Sequence, residues 1–187
     1  MSSASASSNS ATSSDASGGA SADASSAAGS GPVTAESLSD PDLGYTVVSI
    51  PEGLDATQTK ILQDYIAYDK ATWKLWFTNE GVDEISSVAT GDVLEEITTN
   101  AENRNGVRAK PPIRISVSEV TMESSDTANV SACVDRTKMT RVDAQGKDIT
   151  KESDQVQTPA TVRMVNESGG GWLAENEDEG AANSCSV

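Results

Sequence analysis

Five of the seven aromatic residues of this chain, Tyr65, Tyr68, Trp73, Trp76 and Phe77, fall in one stretch between Asp55 and Asn79. Asp is a favoured N-cap, so the stretch predicts a helix that starts after Asp55, runs to about Asn79 and stops ahead of Gly81. Within it Leu62, Tyr65, Asp69, Trp73 and Trp76 step by three and four, the spacing of one buried helical face. A chain that concentrates its bulkiest side chains on one helix has to build its core around that helix.

Further on, the hydrophobic period changes. Val82 to Val88 reads as a short helix or turn. Asp92 to Asn105 reads as a second helix, with Val93, Leu94, Ile97 and Ala101 on one face and Gly106 as its stop. After Pro111-Pro112 the period becomes two. Arg114 to Val120 alternates, with its odd positions on one side through Val117, as a half-buried strand does. More strands are expected at Thr127 to Arg136, Lys138 to Val142, Gln155 to Val165 and Gly171 to Ala174. Turns at Ser124-Ser125-Asp126, Asp143 to Gly146 and Gly169-Gly170-Gly171 separate them. Ahead of the long helix, Tyr45 to Ile50 reads as an extended arm along the domain edge. Helices first and an antiparallel meander afterwards make this an α+β chain with helices on one face of a curved sheet.

Residues Met1 to Pro32 are of another kind. They are almost entirely Ser, Ala and Gly, with only Asp15 and Asp23 charged. Such a stretch cannot bury enough apolar surface to offset the entropy of ordering it. A disordered tether is expected over residues 1–42 and a folded domain over 43–187. The formal charge is −16, spread along the chain, which argues against nucleic acid or anionic lipid as a partner of any basic patch. There is no His, which removes the commonest hydrolase triads and most zinc sites and leaves carboxylate chemistry. No apolar run approaches the ~18 residues of a membrane-spanning helix. Met1 is followed at once by Ser, without the basic and apolar regions of a signal peptide. Two readings stay open: a native cytosolic start with a disordered tail, or a start where a lipid-modified Cys naturally follows a removed signal. The stalk-like composition favours the second, with membrane contact only through an acyl anchor absent from this chain.

There are two cysteines, Cys133 in an alternating segment and Cys185 near the C-terminus. They are either a buried thiol and an exposed one, or a disulfide that pins the tail to a central strand; disulfides persist outside the cytosol. Neither belongs to a CxxC motif.

This layout resembles the NTF2-like (cystatin-like) superfamily, in particular its secreted proteins and lipoproteins in actinobacteria. The resemblance rests on the aromatic helix, Tyr65-Ile66-Ala67-Tyr68 through Trp73-Lys74-Leu75-Trp76, and on the helix start Ala89-Thr90-Gly91-Asp92. It also rests on the strand from Ala128 through Val130 to Cys133-Val134-Asp135, on Gly170-Gly171-Trp172 and on Cys185. It covers roughly residues 45–187. It implies a cone-shaped domain, a long first helix and shorter helices packed on a curved antiparallel sheet that closes a cavity, together with a Cys133–Cys185 disulfide. It implies no particular activity, because the superfold hosts many.

In enzymes of that superfamily a cavity Asp and a Tyr move protons or polarise a carbonyl. Tyr65, Asp69, Trp73 and Asp135 are therefore the candidate cavity residues, a buried carboxylate serving as base and a Tyr hydroxyl steadying an enolate. The structural alternative makes Tyr65 and Trp73 core, pairs Asp69 with a nearby cation at the domain rim, and pairs Asp135 with Arg136, Lys138 or Arg163. The structural alternative is favoured, and no catalytic residue is assigned. Asp143 to Asp148 lacks the spacing of a calcium loop, and Glu175, Glu177, Asp178 and Glu179 read as a solvated acidic face, so neither metal nor cofactor is expected. The function expected is a surface-tethered, extracytoplasmic, non-enzymatic module that binds an unknown protein or small ligand at the cell envelope. The alternatives are a ligand-binding or SnoaL-like enzyme that uses the cavity, and a homo-oligomerising subunit of a conjugation or secretion apparatus.

Overall fold

The structure is a computed structural model, and it describes residues 32–166 and 170–187. The chain divides into Met1–Gly31 and Pro32–Val187. The greater part of the expected tether, and the expected turn at Gly169, lie outside the described residues. The second unit begins with a short helix, α1 (Ala35–Leu38), which is capped by Thr34 and buries Leu38. Residues 32–42, expected as tether, are thus part of the packed body, because Leu38 supplies an apolar anchor that the Ser/Ala/Gly stretch lacks.

Next comes β1 (Tyr45–Ser49), and then the long helix α2 (Ala56–Thr78). The ends of α2 are where its caps put them. Asp55 accepts from the Gln58 N–H while the Gln58 side chain accepts from the Asp55 N–H. At the other end Asn79 takes a left-handed conformation and donates its N–H to the Leu75 carbonyl. Two shorter helices follow, α3 (Val82–Ile85) and α4 (Gly91–Glu102). The second of these ends earlier than Gly106.

The strands are β2 (Arg108–Lys110), β3 (Ile113–Met122), β4 (Thr127–Asp135), β5 (Thr140–Val142), β6 (Gln157–Val165) and β7 (Leu173–Glu179). They form one five-stranded sheet in the order β1-β3-β4-β6-β7 and one two-stranded ribbon, β2-β5. The α+β class holds, with two corrections to the sheet. Tyr45 to Ser49, expected as an extended arm along the domain edge, is an edge strand of the sheet, and it pairs in parallel with β3, Tyr45 opposite Ile113 and Val47 opposite Ile115, so the sheet is mixed and not wholly antiparallel. The segment expected as the third strand leaves the meander to pair with β2.

The buried side of the sheet carries Tyr45, Ile113, Ile115, Val130, Val162 and Met164, and α2 lays Ile61, Leu62, Tyr65 and Ile66 against it. Bulges bend the strands and change which residues face inward. In β3 the register shifts between Val117 and Glu119, so the buried set passes from the odd positions to Val120. In β7 the register shifts across Glu175, so Ala174 faces the core and Glu177 then lies opposite buried Val162.

On the other face of β4, Cys133 is joined to Cys185 by a disulfide, as the family resemblance implies. The C-terminal tail is also held by the Asn183 side chain, which accepts from the Gln157 N–H at 3.1 Å.

Candidate functional site

Three elements enclose a cavity of about 400 Å³: α2, α4 and the inward face of the sheet toward β7. From α2 come Tyr68, Asp69, Thr72, Trp73 and Trp76, spaced as one helical face. The sheet side supplies Val134, Arg136, Glu177 and Glu179. The start of α4 is clipped to β7, which fixes the third wall. Thr90 donates its N–H to the Ala174 carbonyl at 2.7 Å, and Ala174 donates to the Val88 carbonyl at 3.0 Å. Gly91 permits this approach: its φ is +55°, and a Cβ there would stand 3.0 Å from Glu175 Cγ and 3.2 Å from the Glu175 carbonyl oxygen.

Two carboxylates stand in this region, each bonded to a tyrosine. The Tyr45 hydroxyl, from β1, donates to Asp69 Oδ2 at 2.6 Å. The Tyr68 hydroxyl donates to Glu177 Oε2 at 2.6 Å. Burial pushes the Asp69 carboxyl up to about 7, against the lowering effect of the Tyr45 hydrogen bond; Glu177 adds to the rise and a hydrogen bond from Trp73 opposes it. Glu177 is raised as well, first by burial and then by Glu179 and Glu96, while Tyr68 and Arg136 oppose the rise. Tyr45, Tyr65 and Tyr68 are all raised by burial and by these carboxylates, so their hydroxyls stay protonated at neutral pH.

Two residues of the cavity wall carry a buried polar atom without a hydrogen-bond partner, the Thr72 hydroxyl and Arg136 Nε, both closed off from solvent. Thr72 is only 9 % exposed. The other end of the Arg136 guanidinium is engaged, donating to the Thr158 hydroxyl at 2.7 Å and lying 3.5 Å from Glu179.

Of the four cavity residues expected from sequence, Asp69 and Trp73 line the cavity. Tyr65 is buried beneath it, close enough to Asp69 for the carboxylate to raise its hydroxyl. Asp135 is elsewhere. Successive strand residues face opposite ways, and Val134 is the one that lines the cavity, so Asp135 shares the Cys133 face. There it accepts from the Arg114 guanidinium at 3.0 Å and from the Thr137 N–H and hydroxyl at 2.9 and 2.6 Å. Burial works to raise its carboxyl, but hydrogen bonds from Thr137 and Gln157 and the Arg114 charge outweigh that and hold it below the ordinary range. Its cation is Arg114, not Arg136, Lys138 or Arg163. Sequence reasoning missed Thr72, Arg136 and Glu177. Thr72 had a signal, since it lies one helical turn from both Asp69 and Trp76. Glu177 had none, because the β7 bulge reverses the strand's alternation; the acidic run expected as a solvated face is half sheet wall.

A smaller cavity of about 220 Å³ shares Trp73, Trp76 and Arg136 with the first. The Arg104 guanidinium lies 4.6 Å from the centre of the Trp76 ring and closes that side. A separate groove of about 610 Å³ between α2, α3 and α4 includes Leu75, Val82 and Leu94.

No protein-family model matches the chain, and no curated protein matches it in sequence. Its fold is similar to that of the intermembrane space region of the chloroplast protein ARC6, at a TM-score of 0.52 and 16 % identity over 67 % of this chain and 96 % of that one. A ketosteroid isomerase-like protein from Erwinia carotovora atroseptica gives a TM-score of 0.49 and 14 % identity over 67 % of this chain and 96 % of that one. A TrwG component of a type IV secretion system from Bartonella birtlesii gives 0.36 and 11 % over 69 % of this chain and 93 % of that one. At 16 % identity the likeness to the first of these concerns the fold alone.

Proposed function

We propose that this protein is an extracytoplasmic domain of NTF2-like type that binds a small ligand in the cavity between α2, α4 and the sheet, and does so without chemical turnover. The observation that carries this reading is the cavity itself, about 400 Å³ lined by Tyr68, Trp73 and Trp76 with Asp69 and Glu177 set among them. Small ligands bind in concave, partly apolar spaces that carry a few placed polar groups.

Binding is favoured over proton-transfer catalysis by the tyrosines. A hydroxyl that polarises a carbonyl must have its proton free, whereas Tyr45 and Tyr68 both give theirs to carboxylates. The disulfide supports an oxidising compartment, and the Ser/Ala/Gly stretch is the stalk of a lipid-anchored protein on the outer face of a membrane. Mass spectrometry of the protein from its native host tests the anchor: an acylated N-terminal Cys is expected, and an unprocessed cytosolic N-terminus contradicts it.

The cavity reading is tested by a fragment screen followed by Trp fluorescence, with Asn100→Trp as control. Asn100 is exposed at the cavity rim, and a Trp there fills the mouth. Fragments that bind the wild type and not N100W are expected; fragments that bind both equally overturn the reading.

A second reading draws on Asp69. A carboxyl held at about 7 is matched to general-base work at neutral pH. If turnover of any fragment is found, Asp69→Asn should abolish it.

A further inference from the structure

We propose that the cavity takes a small organic cation, a protonated amine on a single aromatic or apolar body, with its ammonium at Asp69 and Glu177. The inference rests on the binding reading above and deepens it.

The charge of the lining is the first argument. Four carboxylates line the cavity, Asp69 and Glu177 inside it and Glu96 and Glu179 at its exposed rim, against one cation, Arg136. Among the described residues no Lys or Arg forms an ion pair with Asp69 or Glu177. Each has a tyrosine hydroxyl, which spreads the charge without neutralising it. The guanidinium of Arg136 is directed to Thr158 and Glu179. A cationic ligand therefore brings the countercharge that Asp69 lacks and that Glu177 draws only in part from Arg136.

The walls are the second argument. Tyr68, Trp73 and Trp76 line the same space, and aromatic faces attract ammonium groups as well as apolar bodies. A volume of about 400 Å³ suits a one-ring molecule. A fatty acid or an organic phosphate meets the opposite conditions, with its charge against the four carboxylates.

Ammonium binding also couples to protons. The groups facing Asp69 are Tyr45 from β1, Tyr65, Tyr68 and Trp73 on α2, and Glu177 from β7. The tyrosines stay neutral, and the Asp69 carboxyl lies at about 7, so the free cavity holds a proton near neutral pH that a bound ammonium expels. Affinity should rise about tenfold between about pH 6 and pH 8.

The test uses three near-isosteric probes on the full chain, phenethylamine, phenethyl alcohol and phenylacetate, titrated by calorimetry at low salt. The amine is expected to bind at least about tenfold more tightly than the alcohol, and the acid more weakly than either. Asp69→Asn should cost the amine about tenfold or more and leave the alcohol within about twofold; Glu177→Gln, nearer the rim, is the second variant and should act in the same direction. If the alcohol or the acid binds as tightly as the amine, and N100W blocks it, the cation is wrong while the binding site stands. If none of the three binds at millimolar concentration, the site itself falls.

Discussion

The Tyr45 hydroxyl from the edge strand β1 donates to Asp69 in the middle of α2 at 2.6 Å, and both residues are buried. This bond ties the parallel strand to the helix and keeps the Asp69 carboxyl from rising further. Tyr45→Phe removes it. The Asp69 pKa should move above 7, and the folded state should lose about 1–3 kcal/mol at neutral pH. Carbon-detected NMR titration of the Asp69 carboxyl and urea unfolding measure the two effects.

The ionisation of Asp69 also sets a pH dependence of stability. Its carboxyl lies at about 7 in the fold against 3.8 for the free group, so between those values the folded chain holds a proton that the unfolded chain has lost. This contribution is fully present below about pH 4 and is lost as pH rises through about 7, on the order of 4 kcal/mol in all. Asp69→Asn should flatten that fall and leave the variant more stable than the wild type at about pH 8, as thermal unfolding across pH would record. A steeper fall in the variant would contradict the assignment.

Asp135 should behave in the opposite way. It serves the fold through Arg114 and Thr137, on the face away from the cavity. Asp135→Asn is expected to cost about 1–3 kcal/mol of stability and to leave ligand affinity unchanged. Calorimetry on the folded variant checks the second point.

The Cys133–Cys185 bond closes a loop of sequence separation 52. Replacing both residues by Ala should cost about 4 kcal/mol by loop entropy, measured in denaturant against the oxidised wild type.

Much of the scaffold could be read before the structure was seen, and the reasons differ by element. Helix α2 carries its boundaries locally, in Asp55 with Gln58 and in Asn79, so its extent and its Asp69–Trp73 face were legible. The parallel pairing of β1 was not, because Tyr45 meets Ile113 across a distance in sequence that no local period encodes. Alternation alone should have removed Asp135 from the cavity, since its neighbour Val134 is core. Glu177 shows the converse: a bulge at Glu175 turns an apparently solvated acidic run so that one member bonds Tyr68. A single inserted residue changes the face of everything after it.

The central claim is that small ligands enter the space between α2, α4 and the sheet. Its most direct test is a phenethylamine titration of isotope-labelled protein followed by NMR. Saturable shifts concentrated at Thr72, Trp73, Ile97 and Val134 are expected, together with a downward move of the Asp69 carboxyl titration. Shifts confined to Val82 and Leu94, in the groove between α3 and α4, or no saturable shifts at all, would contradict the account.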